Sequence, residues 1–214
     1  VSGIILAFAG GSFAGTVPTV IGQAFGGGFY AGQIGVSGVA THYLIVGPVA
    51  SAQSSLLWKN ANTATAGADS NINGPQNTAD MVADGNSTVY PCAHFCNDLS
   101  TGGQTDWYMP AVNELEVCYY NLKPSTASNN TSFGINPNAV PARASNYTVG
   151  TPAQTSAAAF KTSTGAEAFA VANYWTSTEF SATDALLKAF DTGGVYDPNK
   201  DGAYRVRAIR RIAV

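Results

Sequence analysis

Apolar positions along this chain switch between two periods. Aromatic and β-branched runs at Phe29 to Ile34 and His42 to Val46 flank the turn-rich Gly35 to Gly38, which predicts a β-hairpin. A polar stretch from Asn60 to Gly74 reads as a surface loop. Pro75 to Ala83 then reads as a short helix stopped by Gly85. A second helix is expected over Pro91 to Leu99, where Cys92, Phe95, Cys96 and Leu99 follow the i, i+3, i+4, i+7 spacing of a buried face. The clearest helix lies between Pro110, at a first-turn position, and Pro124. Val112, Leu115, Cys118, Tyr119 and Leu122 form its apolar stripe, with Asn113, Glu114 and Glu116 on the wet face. From Ser125 to Thr164 short polar residues dominate, predicting a long structured excursion and not a second core. Strands return at Tyr174 to Thr178, Ala185 to Asp191, Gly194 to Tyr196 and Tyr204 to Ile212. Turn signals at hairpin spacing separate them and predict a small antiparallel sheet.

Strands at both ends and helices between them define an α+β domain with short helices, small antiparallel sheets and long loops. Its terminal strands are placed to pair and close the domain. The 214 residues are enough for one domain with a substantial core. We place that domain at residues 21–214, behind an apolar, Gly-rich arm at residues 1–20. In the arm, Ile4 to Ala9 is interrupted by Gly10, Gly11, Gly15 and Pro18, and no basic residue precedes it. That suits neither a membrane span nor a signal peptide, so the arm is expected to serve assembly, buried against sister subunits.

Charge sharpens the picture. Only 11% of the chain is charged, against roughly 25% in an average soluble protein. No charged residue occurs before Lys59, whereas Lys200, Arg205, Arg207, Arg210 and Arg211 gather near the end. A net charge of -3 offers no basic footprint for nucleic acid. The three cysteines, Cys92, Cys96 and Cys118, read as buried free thiols and not as a disulfide framework. A metal site would need more ligands than His94 adds, and His42 has no partner visible in sequence. No metal and no cofactor is expected.

Three ordered motifs carry a resemblance. Thr105-Asp106-Trp107-Tyr108-Met109-Pro110-Ala111-Val112-Asn113-Glu114-Leu115, Tyr174-Trp175-Thr176-Ser177-Thr178-Glu179 and Tyr204-Arg205-Val206-Arg207-Ala208-Ile209-Arg210-Arg211 together resemble the domain at the C-terminus of the Legionella collagen-like adhesin. The hairpin at Phe29 to Val46 fits the same pattern, so the resemblance spans about residues 21 to 214. It implies a C-type-lectin-like fold, as in marine phage structural proteins, and a role in adhesion or receptor recognition. The chain departs from the family where a tryptophan usually follows alanine in the C-terminal hairpin; here Ala185 is followed by Leu186.

The residues themselves divide into structural and contact groups. Alternation along Tyr174 to Glu179 sends Trp175 inward, as Trp107 is also expected to point, and leaves Glu179 needing a partner, for which Arg207 is the candidate. The following hairpin offers Thr183, Asp184, Lys188, Asp191, Tyr196, Asp197, Asn199, Tyr204 and Arg205. This mix of aromatic, hydrogen-bonding and charged side chains is what recognition surfaces favour. Asp197, Asn199 and Asp201 alternate like a calcium loop, yet the acidic residue that would close one is missing. No nucleophile stands beside a base, so no enzyme is expected. The expected function is recognition of a host-cell glycan or protein from a phage surface or tail-fibre tip. The alternative is a structural capsid decoration or fibre subunit; either is expected to be a homotrimer contacting other virion proteins.

Overall fold

The expected hairpin forms from β2 (Gly28–Val36) and β3 (Val39–Val46), paired antiparallel from Phe29↔Val46 to Val36↔Val39. Its turn is Ser37–Gly38, both at positive φ. This computed structural model describes residues 17–214, so most of the expected arm, residues 1–16, lies outside the described residues. A two-residue strand, β1 (Ala24–Phe25), flanks the hairpin on one side. The chain's last strand flanks it on the other.

A second sheet contains β4 (Gln53–Leu57), β5 (Asn173–Glu179), β6 (Ala185–Ala189), β7 (Val195–Tyr196) and β8 (Ala203–Arg207), in the order β4-β8-β5-β6-β7. Three expectations need correction here. The stretch Tyr204 to Ile212 is two strands, because the chain passes from one sheet to the other at Ala208. There β8 ends and β9 (Ile209–Ala213) begins, pairing with β3. Ala208 N–H bonds Ala52 O at 2.9 Å, which pins the crossing to the short helix α1 (Val49–Ala52). Second, the C-terminal sheet is mixed, since β5 and β8 run parallel at Tyr174↔Arg205. Third, β4 joins this sheet from a segment the pattern had not marked as strand. The expected closure of the domain by terminal strands is present as β3 against β9.

The helices are α2 (Gly74–Asp84), α3 (Pro91–Asn97) and α4 (Val112–Leu122). Pro110 precedes α4 and is not in its first turn; Ala111 is the N-cap, and Glu114 reaches back to accept its N–H at 2.8 Å. That satisfies one of the donors every helix start leaves open. Four α-helices and two sheets make the described chain a mixed α+β structure.

Two apolar clusters fill it. One gathers Trp58, Tyr90, Trp107, Met109, Trp175 and Val206 between α2, α3 and the second sheet; the other gathers Leu115, Tyr119, Phe160, Phe169, Tyr174 and Phe190 around α4. Trp107 and Trp175 are buried, as expected. So are the three cysteines, which are free thiols, and burial pushes each thiol up from its ordinary range. Residues 125–164 form an irregular excursion with one 3-10 turn, Ala158–Phe160. Among the described residues no helix is long and apolar enough to cross a membrane.

Candidate functional site

Buried charges decide how the surface is built. β5 runs through the middle of its sheet with Tyr174 to Thr178 all buried, so charges at its end must find partners inside the protein. Glu179 does so through Lys200, whose fully buried ammonium also bonds Thr63 O at 2.9 Å and Ala182 O at 2.8 Å. The expected Glu179–Arg207 pair is absent. Arg207 lies on the Tyr174 side of the sheet, over the Phe169 ring at 4.6 Å, and its Nη2 bonds Glu167 Oε2 at 3.0 Å. Each therefore has its own partner, Lys200 for Glu179 and Glu167 for Arg207. Burial lowers Arg207 to about 10.

The Lys200 staple has a direct consequence for the loop that carries it. Lys200 points inward while its neighbours Asp197, Asn199 and Asp201 stay exposed. Lys200 N–H bonds Thr183 O at 3.0 Å, and Asn199 Nδ2 bonds Asp184 Oδ1 at 2.8 Å. The β5–β6 turn and the 197–201 loop therefore form one hydrogen-bonded ledge. Asp184 also accepts Ser181 Oγ and Thr183 Oγ1, bonds that pull its carboxyl below the usual range. Phe180, 60% exposed, stands at the start of the ledge, and Tyr196, 45% exposed, follows along β7. Phe180 was not singled out from sequence, because a lone aromatic beside a strand reads as core until its exposure is known.

A second polar assembly lies under the neighbouring surface. Glu114 and Glu116, expected on the wet face of α4, are both buried. Glu114 accepts from Tyr108 Oη, Gly74 N and Arg211 Nε, so it ties α4 to α2 and β9. Burial raises its carboxyl despite the opposing Arg211. Glu116 accepts from Arg143, from Asn136 Nδ2 at 2.5 Å and from Tyr147 Oη at 2.5 Å, so it ties α4 to the excursion. Lys188 completes this group. It was expected at the surface, but it is fully buried, bonding Tyr147 Oη at 3.1 Å and Gly193 O at 2.6 Å. Burial, reinforced by Arg143, lowers it to about 7. Its place on β6 facing α4, and not outward, removes it from any contact surface.

Over this assembly opens a cleft of about 210 Å³, walled by Phe133, Ile135, Val112 and Val195, with Glu116 and Lys188 at its floor. The Phe133 ring meets Tyr196 edge to face at 6.2 Å, joining the cleft to the ledge. Sequence reasoning left the excursion's role open, since nothing in a Ser- and Asn-rich stretch says what it lies against.

The nine expected contact residues thus separate. Thr183, Asp184, Asp197 and Asn199 come together on the ledge, with Tyr196 alongside. Asp191 sits at the opposite end of the β6–β7 hairpin, on the order of 20 Å away by strand length, and accepts from its neighbour Thr192. Tyr204 is half-buried, its ring edge-on to Trp175 at 5.0 Å, so it is a wall of the core; Arg205 is half-buried opposite Tyr174. Among the described residues no group of three or more His, Cys, Asp or Glu is disposed to hold a metal ion.

Two sheets closed by terminal strands, with aromatic and short polar side chains presented on stapled turns, define a mixed α+β domain with a rigid surface ledge. The chain belongs to the Lcl C-terminal domain family, which matches residues 47–210. The three motifs of the resemblance lie within that stretch except for the last residue, Arg211, and the opening hairpin lies outside it. A crystal structure of a fimbrial protein from Bacteroides ovatus is 12% identical, with a TM-score of 0.46; the match covers 85% of this chain and 43% of that one. The chain thus spans under half the length of that structure. No curated protein matches it.

Proposed function

We propose that this chain is a non-enzymatic recognition domain with a C-type-lectin-like fold, carried on a phage particle or at a tail-fibre tip, where it binds a host-surface glycan or protein. The observation that carries the reading is the ledge. Phe180, beside the stapled turn, and Tyr196, on β7, both present large aromatic side chains to solvent next to short hydrogen-bonding residues, the mix that recognition surfaces favour. Aromatic anchors with adaptable polar neighbours bind at low entropy cost, and rigidity lowers that cost further. Membership of the Lcl C-terminal domain family supports the lectin-like comparison and the adhesive role.

The absence of an enzymatic role in this reading is supported by how the reactive groups are used. The thiols are buried, His94 Nε2 bonds Gly85 O at 2.8 Å, and His42 Nδ1 bonds Thr41 Oγ1 at 3.0 Å. His94 Nδ1 also lies 3.5 Å from Asp98, but among the described residues neither histidine bonds a thiol that it could activate. In the same reading the chain assembles as a homotrimer with other virion proteins, its uncharged N-terminal segment suited to the interface.

The test is adsorption of the fluorescently labelled chain to a panel of marine bacterial cells. The proposal expects saturable adsorption to some cells, competed by unlabelled chain. Absence of saturable adsorption throughout, together with antibody labels buried in the shell of intact particles, would establish the structural alternative instead.

A further inference from the structure

Recognition through the ledge leaves the adjoining cleft unassigned, and its chemistry is unusually one-sided. Both charged residues at its floor are already engaged. Glu116 receives Asn136, Arg143 and Tyr147, and Lys188 gives its protons to Tyr147 and Gly193 with no exposed surface. An anionic ligand would find no free cation there, and a cationic one no free carboxylate. Burial acts in the same direction, lowering Lys188 to about 7 so that the amine readily sheds its charge.

What remains facing the cleft is neutral. Phe133, Ile135 and Val195 supply an aromatic edge and aliphatic walls, and Ile135 is 58% exposed. Ser132 and Asn146 are exposed at the same cleft, and their side chains make no hydrogen bond within the described protein; Asn113 gives its amide to Asn138 at 2.9 Å and keeps its oxygen. Apolar C–H contact on one side and uncharged hydroxyl and amide partners on the other match a pyranose, which has an apolar face and a rim of hydroxyls. At about 210 Å³ the cleft has room for one ring, not for a folded peptide. Its walls are fixed in advance by the Glu116 network, so little ordering is needed on binding.

We propose that the cleft between residues 132–135 and Val195 is a binding subsite for a single uncharged sugar ring. The proposal rests on the recognition reading and names its ligand class. It places Phe133 under the C–H face of the ring, with Ser132, Asn113 and Asn146 as hydroxyl partners.

The experiment is saturation-transfer NMR on the full chain with glucose, galactose, mannose, N-acetylglucosamine, glucuronic acid and N-acetylneuraminic acid. Binding to at least one neutral sugar is expected, with a dissociation constant on the order of 1 mM, unchanged by added salt. Phe133→Ala and Asn146→Ala should each weaken it about tenfold, the cost of one good contact. Circular dichroism on both variants checks folding, and Asn146→Ala, at an exposed position, keeps the test informative if Phe133→Ala unfolds. The inference is overturned by no transfer from any neutral sugar, by salt-sensitive preference for the acidic sugars, or by binding that survives Asn146→Ala in full. If the chain adsorbs to cells but none of these sugars binds, the subsite fails and the recognition reading stands. If adsorption itself fails, the wider reading fails.

Discussion

Lys188 shows how a single charge can be misread from sequence and what its true position costs. On an alternating hairpin it belongs to one of two faces, and composition favoured the outer one; the inner one is correct because Tyr147 and Gly193 O wait there. The amine is lowered to about 7 in the folded protein, while in the unfolded chain it keeps its ordinary value near 10.5. Between those values the unfolded state binds the extra proton, so stability rises with pH across that window. The groups facing Lys188 are Tyr119, Tyr147, Arg143, Glu116 and, further out, Asp191; the two tyrosines are pushed up and do not titrate near neutrality. Urea midpoints measured from about pH 6.5 to about pH 7.5, where unfolded thiols are still largely protonated, should therefore climb in the native protein. In Lys188→Met the climb should shrink to the part that His42 supplies, since burial lowers that imidazole too. Parallel curves would mean that the amine is not the group responsible.

Glu179 and Lys200 make a second residue-scale case. Removing one partner of a buried pair strands the other, so Lys200→Met is expected to cost about 3 kcal/mol in urea unfolding. Arg207→Met tests the corrected pairing, since it leaves Glu179 untouched and strands instead the half-buried Glu167 carboxylate and the carbonyls of Gly47 and Glu167. In a double-mutant cycle Lys200→Met with Glu179→Gln should be coupled by well over 0.5 kcal/mol, and Arg207→Met with Glu179→Gln should be additive to about that figure.

At the scale of elements, the periodic ones were legible and the partnered ones were not. The opening hairpin, α3, α4 and β5 to β7 follow from spacing and turn signals, and α2 from Pro75 at its start and Gly85 at its stop. β4 carries no such period: Gln53, Ser54 and Ser55 are strand only because β8 lies beside them. The break at Ala208 and the parallel pairing of β5 with β8 likewise depend on distant residues. The buried side of α4 was underestimated for the same reason. Its apolar stripe reads correctly, yet Glu114 and Glu116 flank it under α2, β9 and the excursion, which a helical wheel does not contain. Glu116 holds the excursion, so Glu116→Ala should loosen residues 132–147 while sparing α4's own apolar contacts. Hydrogen exchange should show faster exchange at Asn136 and Tyr147, whose amides bond Arg143 O and Phe133 O, with little change at Ile45 in the β2–β3 hairpin. Equal acceleration throughout would mean that Glu116 supports the whole fold and not that segment.

For the whole molecule, the α+β class and the closure of the domain by its terminal strands were readable from element order, and family membership was readable from three motifs at ordered spacing. The contact face was readable only in part. Thr183, Asp184, Tyr196, Asp197 and Asn199 lie together because the Lys200 staple folds two turns into one ledge, whereas Lys188, Asp191, Tyr204 and Arg205 are drawn elsewhere by burial and strand length. Phe180 enters through its exposure alone. If this ledge is the recognition face, adsorption must depend on it and not on apolar exposure in general. Val36 and Val39, 57% and 68% exposed at the tip of the β2–β3 hairpin, provide the control. The decisive measurement is adsorption to receptive cells by the labelled chain carrying Phe180→Ser with Tyr196→Ser, beside the chain carrying Val36→Ser with Val39→Ser. A loss of at least about tenfold is expected for the first and native adsorption for the second, as when a few anchors dominate an interface. Equal adsorption by the two would contradict the ledge as the recognition face.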